Sequence, residues 1–125
     1  MALVLGDTYT REDIHNMLGG EMVTYLPQVD YRIVCGCFTE ELNPGQPLEI
    51  LVGDAPIVKE KAELIVSQGS AIPVFLKMDS DEWQYVGQFK ATKYDTDVVA
   101  VEEKAKMSKR TDPIAGVLYF EPAAS

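Results

Sequence analysis

The stretch EWQYVGQFKATKY, residues 82 to 94, constrains this chain more than any other. Trp83, Tyr85, Gly87, Phe89 and Ala91 fall on every second position, with Gln84, Gln88, Lys90 and Thr92 between them. A period of two is the mark of a half-buried strand, and aromatic residues on such a strand dominate the energetics of the core they enter. The preceding AIPVFLKM, residues 71–78, is a second strand, and MDSDE supplies a tight turn, so the pair reads as a hairpin. Pro73 cannot donate to a ladder, which places it at an edge or a bulge. A stacking platform for bases is the competing reading, since Phe89, Lys90, Lys93 and Tyr94 interleave aromatic and basic groups. The regular alternation favours the core.

The other segments arrange themselves around this hairpin. YTREDIHNMLGG reads as a short helix with Thr10 as N-cap, acidic Glu12 and Asp13 in its first turn, and Gly19-Gly20 stopping it. EMVTYLPQVD is expected to be a loop or a short edge segment. YRIVCGCF, 31–38, reads as one strand that is apolar on both faces, and LEILV, 48–52, as another, joined by the turn-rich ELNPGQP. GDAPIVKEKAELIVSQG is a helix with Pro56 in its first turn, Asp54 serving as a cap, and Gly69 closing it. TDVVAVEEKAKMSKR begins as a helix capped by Asp95 or Thr96, DPIAG breaks it, and VLYFEP is the last strand. About five strands and two or three helices result. The fold class is α+β: a curved, mixed, mostly antiparallel sheet, or an incomplete β-barrel, with two or three flanking helices.

With 125 residues, the chain suits a single domain spanning 1–125. MALVLGD is too short for a signal segment and has no basic start, so the expectation is a soluble, cytoplasmic protein with no membrane partner. Net charge is −9 and uneven: residues 1–58 hold two basic residues against nine acidic ones. That balance disfavours non-specific nucleic-acid binding, which depends on neutralising phosphates. Four bases gather in KAKMSKR, 104–110, which reads as a solvated helix end, with a local basic patch as the alternative. Cys35 and Cys37 would be about 6.5–7 Å apart along a strand, too far for a relaxed disulfide, and read as two buried structural thiols.

Catalytic signals are largely absent. No Gly-rich phosphate loop, GxSxG or HExxH occurs, and the single His15 reads as a helix residue bonded to nearby backbone. No cofactor or metal is expected. Glu40 and Glu41 follow the strand ending in Phe38; such a pair can accept hydrogen bonds from a polar ring edge, or be a solvated loop.

The order of these segments resembles the SRA (SET and RING-associated) domain, a PUA-like fold that flips modified cytosines out of DNA. LGDTYTREDIH, 5–15, is similar to the family's opening "vG-x-x-f-x-s-R-x-e-l-h". YRIVCGCFTEE, 31–41, stands where the family has "s-I-V-l-S-G-G-Y-e-D-D". LVG, 51–53, takes the place of its "Y-T-G", and IPVFLKMDSDEWQYVGQFKAT, 72–92, resembles its "kPVRVvR … YrYDGlYkV" hairpin. The resemblance implies that Phe38 matches a tyrosine stacking on the flipped base and that Glu41 matches the aspartate accepting from the base's amino edge. Leu51 matches a second stacking tyrosine whose aromatic ring is lost here.

The leading expectation is therefore a PUA/SRA-like module that binds DNA or RNA and reads a modified base, in a restriction or defence context. Phe38, Glu40, Glu41 and Leu51 would line the pocket. Arg11, Lys90, Lys93, Lys104, Lys106, Lys109 and Arg110 would meet the nucleic-acid backbone. The alternative is a non-catalytic protein-interaction domain whose acidic first half meets a basic partner. An enzyme using Glu40 or Glu41 as a general base ranks last, because no matched acid or metal site is visible.

Overall fold

The computed structural model describes residues 3–123. Strands β6 (Ile72–Asp79) and β7 (Glu82–Asp95) form the expected hairpin, turning through Ser80 and Asp81, the latter at φ 53°. Before them come β1 (Thr8–Tyr9), α1 (Arg11–Leu18), β2 (Gln28–Val29), β3 (Arg32–Ile33), β4 (Gly36–Phe38), β5 (Glu49–Gly53) and α2 (Pro56–Gln68). After them come α3 (Val98–Met107) and β8 (Ile114–Pro122). Six strands share one sheet in the order β4-β6-β7-β8-β5, with β1 paired to β7 beside this path, while β2 and β3 pair with each other. β4 and β6 run parallel and every other pair is antiparallel. The class is α+β, mixed and mostly antiparallel, with three helices, and the sheet does not close into a barrel.

β7 organises the sheet because it is long enough to serve three partners. Its first half lies between β6 and β1, and its second half pairs with β8 from Phe89 to Asp95. Register shifts between Val74 and Phe75, and again between Ala91 and Lys93, bend the ladder. At the first shift Tyr85 faces Phe75 but Gly87 faces Val74, so β7 spends one extra residue there. The bulge has a consequence for the alternating row. Trp83 and Tyr85 pack with Ile14, Cys35, Cys37 and Phe75, whereas Phe89 and Ala91 pack with Phe38, Ile50, Val74 and Phe120. One unbroken row in the sequence thus feeds two cores on opposite faces of the sheet. Gly87 makes the switch at φ 116°, a conformation that side chains oppose.

The helices cover both faces. Ala62 and Ile65 of α2 join the larger core, Ile14 of α1 joins the second, and Val101 of α3 packs on Leu51 and Val117. α1 has a full capping box, in which Asp13 N–H donates to Thr10 Oγ1 at 3.0 Å and Thr10 N–H donates to the Asp13 carboxylate at 3.0 Å. α2 starts with Pro56 at its first position and ends at Gly69 in the left-handed region. Its N-cap is Ala55 without a side-chain bond, so Asp54 does not cap it. α3 is capped by Asp97, whose Oδ2 accepts from Ala100 N–H, rather than by Asp95 or Thr96; Asp95 instead accepts from the Asp97 amide.

The expected single strand over 31–38 is broken. Val34 N–H donates to Pro27 O and Cys37 N–H to Tyr25 O, both at 2.9 Å, so residues 25–27 take the backbone bonds that a continuous strand would have used. Both cysteines are free and buried, and the Cys37 contact together with burial pushes the Cys35 thiol up. Buried Lys61 ties this region to α2, donating to Glu21 Oε2 at 2.9 Å and to Leu26 O at 2.8 Å. Burial opposes ionisation of Glu21, but the Gln28 amide and the Lys61 ammonium outweigh it and hold the carboxyl below its ordinary 4.5. A depressed carboxyl stabilises the fold above its ordinary value, and that contribution vanishes as pH falls through the folded value. Below about pH 4.5, stability measured by denaturant unfolding should therefore fall less steeply in Glu21→Gln than in the wild type. Gly87→Ala should cost about 1–3 kcal/mol through backbone strain, read as a lower melting temperature.

Candidate nucleic-acid interface

The connection from β4 to β5, residues 39–48, crosses between the two edge strands of the open sheet. Its anchor is Asn43, buried among its neighbours. The Asn43 Nδ2 group donates to Thr39 O at 3.2 Å, and its Oδ1 accepts from the Leu51 amide at 2.8 Å. A buried amide with both ends bonded in this way fixes the loop against β5. Along the same edge Leu51 O accepts from Arg110 Nη1 at 3.1 Å, so both backbone groups of this edge residue are met by side chains. Such capping blunts an edge that would otherwise invite another strand.

Three adjoining hollows surround this loop and the end of α3. One, of about 420 Å³, is lined by Glu40, Glu41, Pro44, Met107 and Lys109. Another, of about 380 Å³, lies between Leu42, Asn43, Leu51, Asp54, Arg110 and Asp112. A smaller one, of about 140 Å³, joins them through Leu51 and Met107 and is bounded by Glu49 and Lys104. The structure therefore brings together Glu40, Glu41, Leu51, Lys104, Lys109 and Arg110. These residues come from two segments about sixty positions apart in the sequence, and β5 and β8 bring the segments side by side.

Two of the cations here are paired. Arg110 Nε and Nη2 grip the Asp112 carboxylate at 2.9 and 2.6 Å, and this contact holds Asp112 below its ordinary range. Lys104 Nζ meets Glu49 Oε1 at 2.6 Å, which raises the lysine above its ordinary value. The cleft wall also includes Tyr25, whose hydroxyl donates to Val58 O at 2.6 Å and whose burial pushes its ionisation upward. Among the described residues, no three histidine, cysteine, aspartate or glutamate side chains gather to hold a metal. No helix among them is long and apolar enough to cross a membrane.

The remaining expected site residues lie elsewhere. Phe38 is 1% exposed, and its ring sits 5.6 Å from that of Phe120 inside the larger core. Arg11 is folded inward: its guanidinium lies 5.1 Å from the Trp83 ring centre and donates to Thr24 O at 2.9 Å and Glu21 O at 3.3 Å. Lys90 and Lys93 are exposed on the second half of β7, with Lys93 3.6 Å from Asp95. Lys106 is exposed on α3. His15, as expected, bonds backbone, with Nδ1 donating to Gly20 O at 2.6 Å. Asn43, Asp112 and Tyr25 were missed. A signal existed for Asn43 alone, in the Asn-Pro-Gly turn.

No family model matches the sequence, and no curated protein matches it. Solved structures do. The chain is similar over its whole length to the type IV phosphorothioation-dependent restriction endonuclease ScoMcrA, with TM-score 0.57 and 14% identity. The fold is SRA-like. A second structure, the sulfur-binding domain and SRA domain of ScoMcrA complexed with phosphorothioated DNA, matches at TM-score 0.57 and 13% identity, again over the whole chain. This chain spans 29% and 41% of the lengths of those two. Within this SRA-like fold, Asn43→Ala should cost about 1–3 kcal/mol, by leaving the Leu51 amide unpaired. Hydrogen exchange at the Leu51 amide should speed up with it.

Proposed function

We propose that this chain is a single nucleic-acid-binding module whose ligand is DNA carrying a modification, acting in a restriction or defence system. The observation that carries the reading is the convergence of the 39–48 loop, Leu51 and the end of α3 on adjoining hollows. The likeness to part of a protein solved in complex with phosphorothioated DNA supports it. Within the hollows, the exposed carboxylates of Glu40 and Glu41 are acceptors suited to the amino edge of an unstacked base. Lys109, which lines the same hollow, and exposed Lys106 nearby on α3 supply attraction for phosphates. Phe38 works from beneath, because its packing on Phe120 sets the strand end from which the two glutamates project.

Specific reading and general attraction are therefore assigned to different side chains. Binding of short labelled duplexes, plain, 5-methylcytosine-containing and phosphorothioated, separates them. Glu41→Ala should abolish any preference for a modified duplex, a loss of about 1–3 kcal/mol of discrimination. Lys109→Ala should weaken all duplexes alike and make the salt dependence shallower by about one unit of slope. Equal loss for every duplex on changing Glu41 would sink the pocket assignment. Binding to a basic protein, with none to any oligonucleotide, would select the acidic interaction surface instead.

A further inference from the structure

We propose that Asp112 is an internal stand-in for a backbone phosphate, occupying the Arg110 fork until nucleic acid displaces it. This rests on the nucleic-acid reading of the same cleft and adds a control built into it. Arg110 is anchored at its far side by Nη1, which donates to Leu51 O at 3.1 Å, so the guanidinium plane is set by β5. The opposite edge, Nε and Nη2, makes two parallel bonds to the Asp112 carboxylate. That two-pronged arrangement is the one a phosphate adopts on arginine, with the same planar donors and oxygen spacing.

Exposure sets the order of events. The Arg110 side chain is 12% exposed, and that of Asp112 is 50% exposed. A ligand arriving from solvent meets the carboxylate first, with the arginine behind it. Asp112 lies between α3 and β8, in a segment without helix or strand, so its carboxylate can leave without unravelling either element. Arg110 keeps its anchor on Leu51 meanwhile and stays aimed into the cleft.

The arrangement recurs across Leu51, where Glu49 neutralises Lys104. Two of the four cations in 104–110 are thus held by carboxylates of this same chain. An electrostatic surface masked from within attracts any single phosphate weakly. Occupancy then depends on a ligand that also satisfies the cleft; the mask lowers affinity for every duplex alike and leaves the ratio between them to the cleft itself. The mask also explains how an acidic chain can carry a phosphate-binding arginine without binding nucleic acid indiscriminately.

Asp112→Asn keeps the shape of the side chain and removes its charge. Titrated against short labelled duplexes at low salt, it should bind plain and modified DNA several-fold more tightly than the wild type, by the same factor. Its log–log salt dependence should be steeper by up to about one unit. The gain should largely disappear when Arg110→Lys is added, since lysine keeps the charge but not the fork. Unchanged or weaker binding by Asp112→Asn, at an unchanged melting temperature, would overturn the stand-in. A second readout does not depend on that variant. The Arg110 Nε resonance of the wild type should shift when plain duplex binds, and binding that leaves it unmoved would also overturn the proposal. Failure of the wild type and all variants to bind any duplex rejects the nucleic-acid reading as well as the stand-in, whereas binding indifferent to Asp112 rejects the stand-in alone.

Discussion

The long strand β7 is the constraint on which the rest of this molecule depends. It alone pairs with β1, β6 and β8, and the bulge at Val86–Gly87 decides which face its buried side chains enter. Without that extra residue Trp83, Tyr85, Phe89 and Ala91 would all point the same way. One core would then be overfilled and the other would lose its aromatic contribution. Because the row changes face, α1 and α2 can each cover a packed surface on opposite sides of the sheet. Local curvature and the two-core arrangement are one feature seen at two scales.

An open curved sheet has two edges, and the treatment of those edges creates the candidate site. Residues 25–27 cover β4 by taking the Val34 and Cys37 amide protons. β5 is covered by side chains, with Asn43 accepting from Leu51 N–H and Arg110 donating to Leu51 O. The loop that carries Asn43 must cross from one edge to the other, and the segment that carries Arg110 must return from α3 to β8. Hollows form where the two meet, because side chains fill that gap less completely than a paired strand would. The structural need to protect an edge and the placement of the charged groups are met by the same residues.

Much of the frame was legible in the sequence because it rests on local chemistry. The period of two in β7, the Thr10 N-cap, Pro56 opening α2 and Gly69 closing it, and the turn at Ser80–Asp81 each follow from residues within a few positions of one another. The failures are non-local. The break in 31–38 comes from competition by Tyr25 and Pro27 for backbone protons. The choice of Asp97 over Asp95 as the α3 cap follows from β7 running on to Asp95 before the chain turns. Arg11, an exposed basic residue by sequence, is drawn inward by the Trp83 ring and two carbonyl groups that arrive from other elements.

By itself the sequence determined the fold class, the main elements and the two segments, 38–51 and 104–110, from which the candidate site is drawn. The fold class and the elements depend on periodicity, capping and turn chemistry, which act over a few residues, whereas segment 38–51 was singled out by its resemblance to the SRA domain. Only the tertiary structure decided that the two segments meet across Leu51, that Phe38 serves the core beneath them, and that Arg110 is already gripped by Asp112. Those outcomes depend on strand register and on which side chains reach a shared edge. A one-residue bulge is enough to reassign them.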